Sequence, residues 1–209
     1  MPENDISDIT LEDVLGDLHA EGIDVGGAGL HVPGDTPPPP QTPGAAFARR
    51  LDVLASREVR TLHNRRRPWT FLTLSHLVVC PAGVVVVDAL DAQGRPSLRL
   101  EGGSGGQQWE RLMAGDRDCT KRVESLLDGV RAVTRAMVRA LPEMRGLDVH
   151  GVLASTGEDR PARGGAFTVR GIHVLCPGRL SARIAGPGPL RTDEIDRVTA
   201  ALGKAFPPA

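Results

Sequence analysis

The stretch LTLSHLVVCPAGVVVVDAL, residues 72–90, decides the fold that we expect for this chain. It holds two runs rich in Val and Leu, separated by Cys80-Pro81-Ala82-Gly83. Pro stands second and Gly fourth in this tetrapeptide, which is the placement that a type I turn prefers. Two apolar runs around such a turn predict a β-hairpin.

The turn also predicts which residues of the hairpin face each other. If Pro81 and Ala82 are the two central turn residues, Ser75 lies opposite Asp88, with Cβ atoms about 5 Å apart. Leu90 shares the face of Asp88, because side chains alternate along a strand. The sequence therefore predicts that positions 75, 88 and 90 form one surface patch.

These positions carry a resemblance to a family of nucleases. Its motif segments here are HNRRRP at 63–68, LSHLVV at 74–79 and GVVVVDAL at 83–90. In this order and spacing they resemble the nuclease-related domain, NERD, of the PD-(D/E)xK restriction-endonuclease-like superfamily. Two later segments, RGIHVL at 170–175 and FPP at 206–208, resemble the actinobacterial type of NERD protein.

The resemblance spans residues 44–209 and implies an α/β, restriction-endonuclease-like fold with a central mixed β-sheet flanked by helices. In the family pattern, acids at the positions of Ser75 and Asp88 bind the metal, and a Lys at the position of Leu90 helps to activate water. Only Asp88 keeps this pattern here, so two of three chemical positions are changed. The first helix of the family usually carries a supporting acid, and the matching residues 45–48 hold none.

Asp88 and Lys121 are the candidate catalytic residues. Some enzymes of the superfamily carry the Lys on the following helix, where Lys121 stands in the first turn; a solvated surface amine is the alternative. Asp88 is also the candidate metal ligand, but a site with one carboxylate binds Mg²⁺ weakly, because such sites use carboxylates together with substrate phosphates. The histidine of the pattern, His76, is expected to be a hydrogen-bonded structural residue rather than a base or a metal ligand.

An arginine-rich loop is the candidate nucleic-acid contact. Arg65, Arg66 and Arg67 are followed closely by Trp69. Arginines hold phosphates, and an aromatic ring stacks on a base. The alternative is a solvated loop with Trp69 packed on the edge of the domain.

Charge divides the chain into two parts. Residues 1–43 hold nine acidic residues and no Lys or Arg, whereas residues 44–209 hold all 25 basic residues and the other 17 acidic ones, a formal +8. We expect an acidic arm, with a short helix at 10–21 and a Gly/Pro-rich linker, followed by the NERD-like domain. The arm is expected to contact the basic body or a partner protein, or only to keep the protein soluble.

Periodicity predicts the other elements of the domain. The expected helices are at 44–57, at 118 or 120 to 141 and from 192 onward, and the expected strands are at 58–63, 148–154 and 167–175. Residues 96–100 are expected to continue the main sheet. In the long helix Arg131, Arg135 and Arg139 form an i, i+4 row, which is usually a solvated face.

Three functions are compatible with these features. The favoured one is a nuclease-derived domain, a pseudoenzyme, that contacts DNA but has lost most hydrolytic capacity. The first alternative is an active Mg²⁺-dependent DNA nuclease that uses Asp88 with relocated partners. The second is a structural or protein-interaction domain without nucleic-acid binding. Mg²⁺ is a cofactor only for the active nuclease.

Cysteine usage and hydropathy indicate the compartment. The chain has three cysteines and no C-x-x-C pair, which argues against a disulfide framework and fits the reducing cytoplasm. No signal peptide is expected, and the apolar runs are too short to span a bilayer, so no membrane contact is expected.

Overall fold

A computed structural model describes residues 43–68, 70, 72–102, 108–156 and 166–209. Residues 1–42, which hold almost all of the acidic arm and its helix at 10–21, lie outside the described residues, as does Trp69. The described part is mixed α/β, with a multi-strand sheet flanked by helices.

The predicted hairpin is present at the centre of the main sheet. Strands β2 (Thr73–Cys80) and β3 (Gly83–Leu90) pair antiparallel, with His76 opposite Val87. This register is the one that the predicted turn requires, so the prediction is confirmed. Strand β1 (Arg60–Arg66) pairs antiparallel with the other edge of β2.

The hairpin turn depends on a glycine at position 83. The φ angle of Gly83 is +125°, in the region that favours glycine. A Cβ at this position would lie 2.6 Å from the carbonyl oxygen of Asp148, because that part of the chain passes directly beside the turn. The same carbonyl accepts a hydrogen bond from the Val84 N–H at 3.0 Å, which ties the hairpin to the start of a later strand.

A separate antiparallel sheet follows the hairpin in the chain. Its three strands are β4 (Pro96–Gly102), β5 (Gln108–Ala114) and β6 (Arg117–Asp118). The expectation that residues 96–100 continue the main sheet is therefore wrong. These residues pair instead with β5, a strand whose sequence QWERLMA has no clear period of two and so was not predicted.

Three later strands complete the main sheet: β7 (Val149–Ser155), β8 (Ala166–Val169) and β9 (Ile172–Leu175). The sheet has the order β1-β2-β3-β7-β9-β8 and is mixed, because β7 pairs parallel with both β3 and β9. The prediction of one strand over 167–175 is wrong. Arg170 and Gly171 both have positive φ and reverse the chain, so β8 and β9 are antiparallel neighbours.

Four α-helices in the described part of the chain pack beside the main sheet. They are α1 (Pro43–Val53), α2 (Thr120–Ala140), α3 (Pro177–Ala185) and α4 (Thr192–Ala205). The predictions of α2 and α4 are confirmed, and α1 ends before the predicted residue 57. Among the described helices, none combines the length and the apolar character needed to cross a bilayer.

The two faces of the main sheet bury separate cores. Val85 and Val87 of β3 share a cluster with Phe47 of α1 and with α3, whereas Val84 and Val86 share one with residues of α2 and α4. Both faces are therefore covered by helices. This explains why β3 is an uninterrupted run of valines rather than an alternating pattern.

Candidate functional site

Asp88 lies near the end of β3, on the face that α2 covers, and both oxygens of its carboxylate accept hydrogen bonds from this chain. The Ser75 hydroxyl donates to Asp88 Oδ1 at 2.8 Å, and the Ala89 N–H donates to the same oxygen at 3.0 Å. Arg122 Nη1 of α2 donates to Oδ2 at 3.2 Å. Each carboxylate oxygen therefore has a partner, and one of the partners is a cation.

The predicted surface patch is present for Ser75 and Asp88 but is wrong for Leu90. Leu90 is 3% exposed and belongs to the core cluster that includes Leu112 of β5 and Val123 of α2. The smaller sheet and α2 enclose it, a long-range arrangement that the hairpin sequence alone does not predict. The position that carries the Lys in the family pattern is thus a core position here.

Arg122, rather than Lys121, is the basic residue of α2 that contacts Asp88. Lys121 is exposed in the first turn of the helix and forms no hydrogen bond or ion pair with another described residue. The structure therefore places the two candidate catalytic residues, Asp88 and Lys121, without a contact between them. The resemblance points to Lys121 and not to Arg122, although Arg122 is the next residue in the same helical turn.

The residues around Asp88 do not fit a Mg²⁺ site. Mg²⁺ takes oxygen ligands, usually carboxylates completed by substrate phosphates and water. Asp88 is the one carboxylate of its hydrogen-bonded group, and the Arg122 guanidinium holds the oxygen that a cation would need. Nowhere in the described part of the chain do three or more His, Cys, Asp or Glu side chains form a group suited to a metal ion.

A chain of three polar residues joins α1 to the hairpin on the opposite face of the sheet. His63 and His76 are cross-strand neighbours whose Nδ1 atoms lie 2.8 Å apart, and His63 Nε2 lies 2.7 Å from Asp52 Oδ1 of α1. With both rings neutral, His63 donates to Asp52 and His76 donates to His63. The ring of Phe47 lies 5.4 Å from that of His76, so the buried imidazole is enclosed by α1.

This arrangement favours a structural role for His76 over that of a base. Burial, reinforced by the neighbouring His63, lowers the pKa of His76 from its usual 6.5 to about 4. The hydrogen bond from His63 is the main reason that the pKa of Asp52 is also lowered. His76 is therefore neutral at physiological pH, on the face of the sheet away from Ser75 and Asp88.

We expect the stability of the protein to fall as the pH is lowered from about 6.5 to about 4. In this window the unfolded chain binds a proton at position 76 that the folded chain excludes, so the free energy of unfolding decreases by up to about 1.4 kcal/mol per pH unit. The protonation of Asp52, whose pKa is lowered from 3.8, acts in the same direction at still lower pH. Urea unfolding measured at a series of pH values gives the slope directly.

His76→Asn should make this pH dependence shallower, because it removes the group that titrates. His173→Asn is the comparison variant: burial also lowers the pKa of His173, but by less than that of His76, so this change should make the slope shallower to a smaller extent. An equal change of slope in the two variants would contradict the assignment to His76.

The predicted arginine-rich loop is only partly a loop: its first two arginines belong to a strand, and the third lines a groove. Arg65 and Arg66 belong to β1, and the Arg66 N–H donates to the Pro207 carbonyl at 2.8 Å, so the C-terminus pairs with this edge of the sheet. Arg67 follows the strand and lies against α2, where its Nη2 donates to the Asp128 carbonyl at 3.4 Å. Of the three predicted contact arginines, Arg67 lines a concave surface.

That surface is a groove of about 570 Å³ between the β1–β2 connection, α2 and the end of α4. Arg135 and Arg139 of α2 line it together with Arg67, and its described lining holds no Asp or Glu. The i, i+4 row of arginines predicts a solvated face for Arg135 and Arg139, and it gives no sign that they meet Arg67. The available signal was the repeat RAVTRAMVRA at 131–140, which sets a row of alanines beside a row of arginines.

Comparison of the chain with protein-family profiles, with curated proteins and with solved structures finds no match.

Proposed function

We propose that this chain is a nuclease-derived module that contacts nucleic acid and does not cleave it. The observation that carries the proposal is the state of Asp88, whose carboxylate is bonded by Ser75, by the Ala89 N–H and by Arg122. An acid held in this way acts as an internal ion-pair and hydrogen-bond acceptor. It is the position at which a nuclease of the resembled type binds its metal.

The absence of cleavage follows from the chemistry at this position. Metal-assisted phosphodiester hydrolysis needs an ion that activates water and stabilises the leaving oxygen. Ser75 supplies a neutral oxygen where the family pattern has an acid, and Arg122 supplies a positive charge that repels a cation. The lysine of the pattern, which helps to activate water, is replaced by Leu90, which is buried.

Contact with nucleic acid is supported by charge. Residues 44–209 carry a formal +8. Arg67, Arg135 and Arg139 meet in one groove whose described lining holds no Asp or Glu. Phosphates are bound mainly through such arginine surfaces, independently of sequence.

The finer assignment of the fold is part of the same proposal. A mixed sheet whose central hairpin carries the acid position, followed by a long helix and a parallel strand, is the arrangement expected for a restriction-endonuclease-like domain. The three cysteines are free, which fits the cytoplasm that we propose as the location.

Binding of duplex DNA by the full chain across a salt series tests the contact with nucleic acid. We expect the affinity to fall steeply between about 50 and 200 mM salt, with a log–log slope of about −0.9 for each phosphate contact. Three contacts in the groove would give a slope near −3. A protein that binds no DNA at the lowest salt concentration would instead support a purely structural domain.

A further inference from the structure

We infer that the groove lined by Arg67, Arg135 and Arg139 binds a phosphate-bearing ligand of nucleotide size, as a free nucleotide or as one unit of a strand. This inference names the site for the proposed contact with nucleic acid. It rests on that proposed function if the ligand is a nucleic-acid strand. The groove is a site distinct from Asp88. Arg122, which contacts Asp88, and Arg135 are about 20 Å apart along the axis of α2.

The three arginines supply positive charge from two separate parts of the chain. Arg135 and Arg139 are one turn apart on α2, about 6 Å along the axis, so their guanidinium groups can reach one phosphate or two neighbouring ones. Arg139 is exposed and forms no hydrogen bond or ion pair with another described residue. Arg135 uses Nε for the Arg131 carbonyl, at 3.2 Å, which leaves its two terminal nitrogens for a ligand.

Arg67 provides a second, independent observation. Its Nε atom is buried and has no hydrogen-bond partner in the described part of the chain. Buried donors are almost always paired, so an unpaired one calls for an acceptor. The residue lines the groove, so a shift of its side chain toward a bound anion would give this donor a partner.

The floor of the groove fits the less polar part of a nucleotide. Ala132, Ala136 and Ala140 recur every four residues on α2, and their short side chains leave room between the arginines and the end of α4. Pro68 and Phe206 add apolar surface to the lining. The volume of about 570 Å³ lies within the range typical of sites for small molecules and cofactors.

The test is fluorescence anisotropy with the full chain at low salt. One probe is a labelled single-stranded oligothymidylate, and the other is a labelled adenosine monophosphate. The variant is Arg135→Ala/Arg139→Ala, which keeps good helix formers at both positions. The matched control is Arg131→Ala, which removes a neighbouring arginine of the same row whose side chain pairs with Asp128.

We expect the double variant to lose at least about tenfold in affinity for a probe that the wild type binds, since two phosphate contacts are removed, and Arg131→Ala to lose less than about twofold. Loss for both probes assigns the groove to a single nucleotide unit. Loss for the oligonucleotide alone, with no binding of the mononucleotide, assigns it to a strand. Either result supports the inference.

Equal affinities in the double variant and in Arg131→Ala, or no binding of either probe by the wild type, would overturn the inference. In the first case, binding of the oligonucleotide would leave the proposed function standing. If the wild type binds the mononucleotide but not the oligonucleotide, and the double variant loses this binding, the inference is supported and the proposed function is contradicted. A polyglutamate peptide of equal charge that competes as well as the oligonucleotide would assign the groove to acidic protein segments instead.

Discussion

Ser75→Asp should destabilise the protein in the absence of divalent metal and make its stability dependent on Mg²⁺ or Mn²⁺. The Ser75 hydroxyl donates to Asp88 Oδ1 at 2.8 Å, and a carboxylate at this position cannot donate. It also sets two negative charges side by side, which disfavours the ionised form of both. We expect a loss of about 2 kcal/mol in the free energy of unfolding, or about 4–8 °C in melting temperature.

Metal should reverse this loss, because two neighbouring carboxylates form the oxygen-rich site that the wild type lacks. For a site with a dissociation constant of about 1 mM, about 10 mM Mg²⁺ restores roughly 1.4 kcal/mol. The measurement is thermal unfolding with EDTA and with added metal. The wild type should show no comparable gain.

Thr73→Asp is the matched control for this experiment. It adds the same charge to an exposed position of the same strand, two residues from Ser75. We expect little response to metal from this variant. A wild type stabilised by Mg²⁺ as strongly as Ser75→Asp would contradict the account of this site.

The local part of the fold could be predicted from the sequence. The hairpin and its register depend on the turn residues and on two apolar runs, all within residues 72–90, so short-range rules are enough. The long helix α2 was predicted for the same reason, since its buried residues recur at helical spacing. Contact between Ser75 and Asp88 follows from the register.

Features that depend on distant parts of the chain could not be predicted in this way. The burial of Leu90 requires the smaller sheet and α2 to fold over the end of β3. The pairing of β4 with β5 removes residues 96–100 from the main sheet, and the alternation of polar and apolar residues does not indicate which sheet a strand joins.

The same limit applies to the polar clusters. Asp52 and His63 meet only because α1 packs on β1, and the resemblance gives neither residue a role. The groove depends on Arg67 lying beside the second half of α2, more than sixty residues later in the chain. The sequence therefore identifies the arginines but not the surface that they share.

The full chain should show no metal-dependent cleavage of DNA. The expected difference in cleavage rate from an active nuclease is the largest effect predicted for this protein. An active nuclease accelerates hydrolysis by many orders of magnitude, and that acceleration needs a bound ion and a group that activates water. Asp88 is ion-paired with Arg122, Leu90 is in the core, and Lys121 forms no hydrogen bond or ion pair with Asp88. The described part of the chain holds no group of three or more His, Cys, Asp or Glu side chains that could bind a metal ion here.

The most direct test is incubation of supercoiled plasmid DNA with the wild type and with Asp88→Ala, each in Mg²⁺ and in Mn²⁺, on the preparation used for the binding measurement. The account predicts that the wild type binds the DNA and leaves it intact. Equal cleavage by both proteins would identify a contaminating nuclease. Cleavage by the wild type that disappears in Asp88→Ala would contradict the account, and Lys121→Ala would then test the relocated lysine.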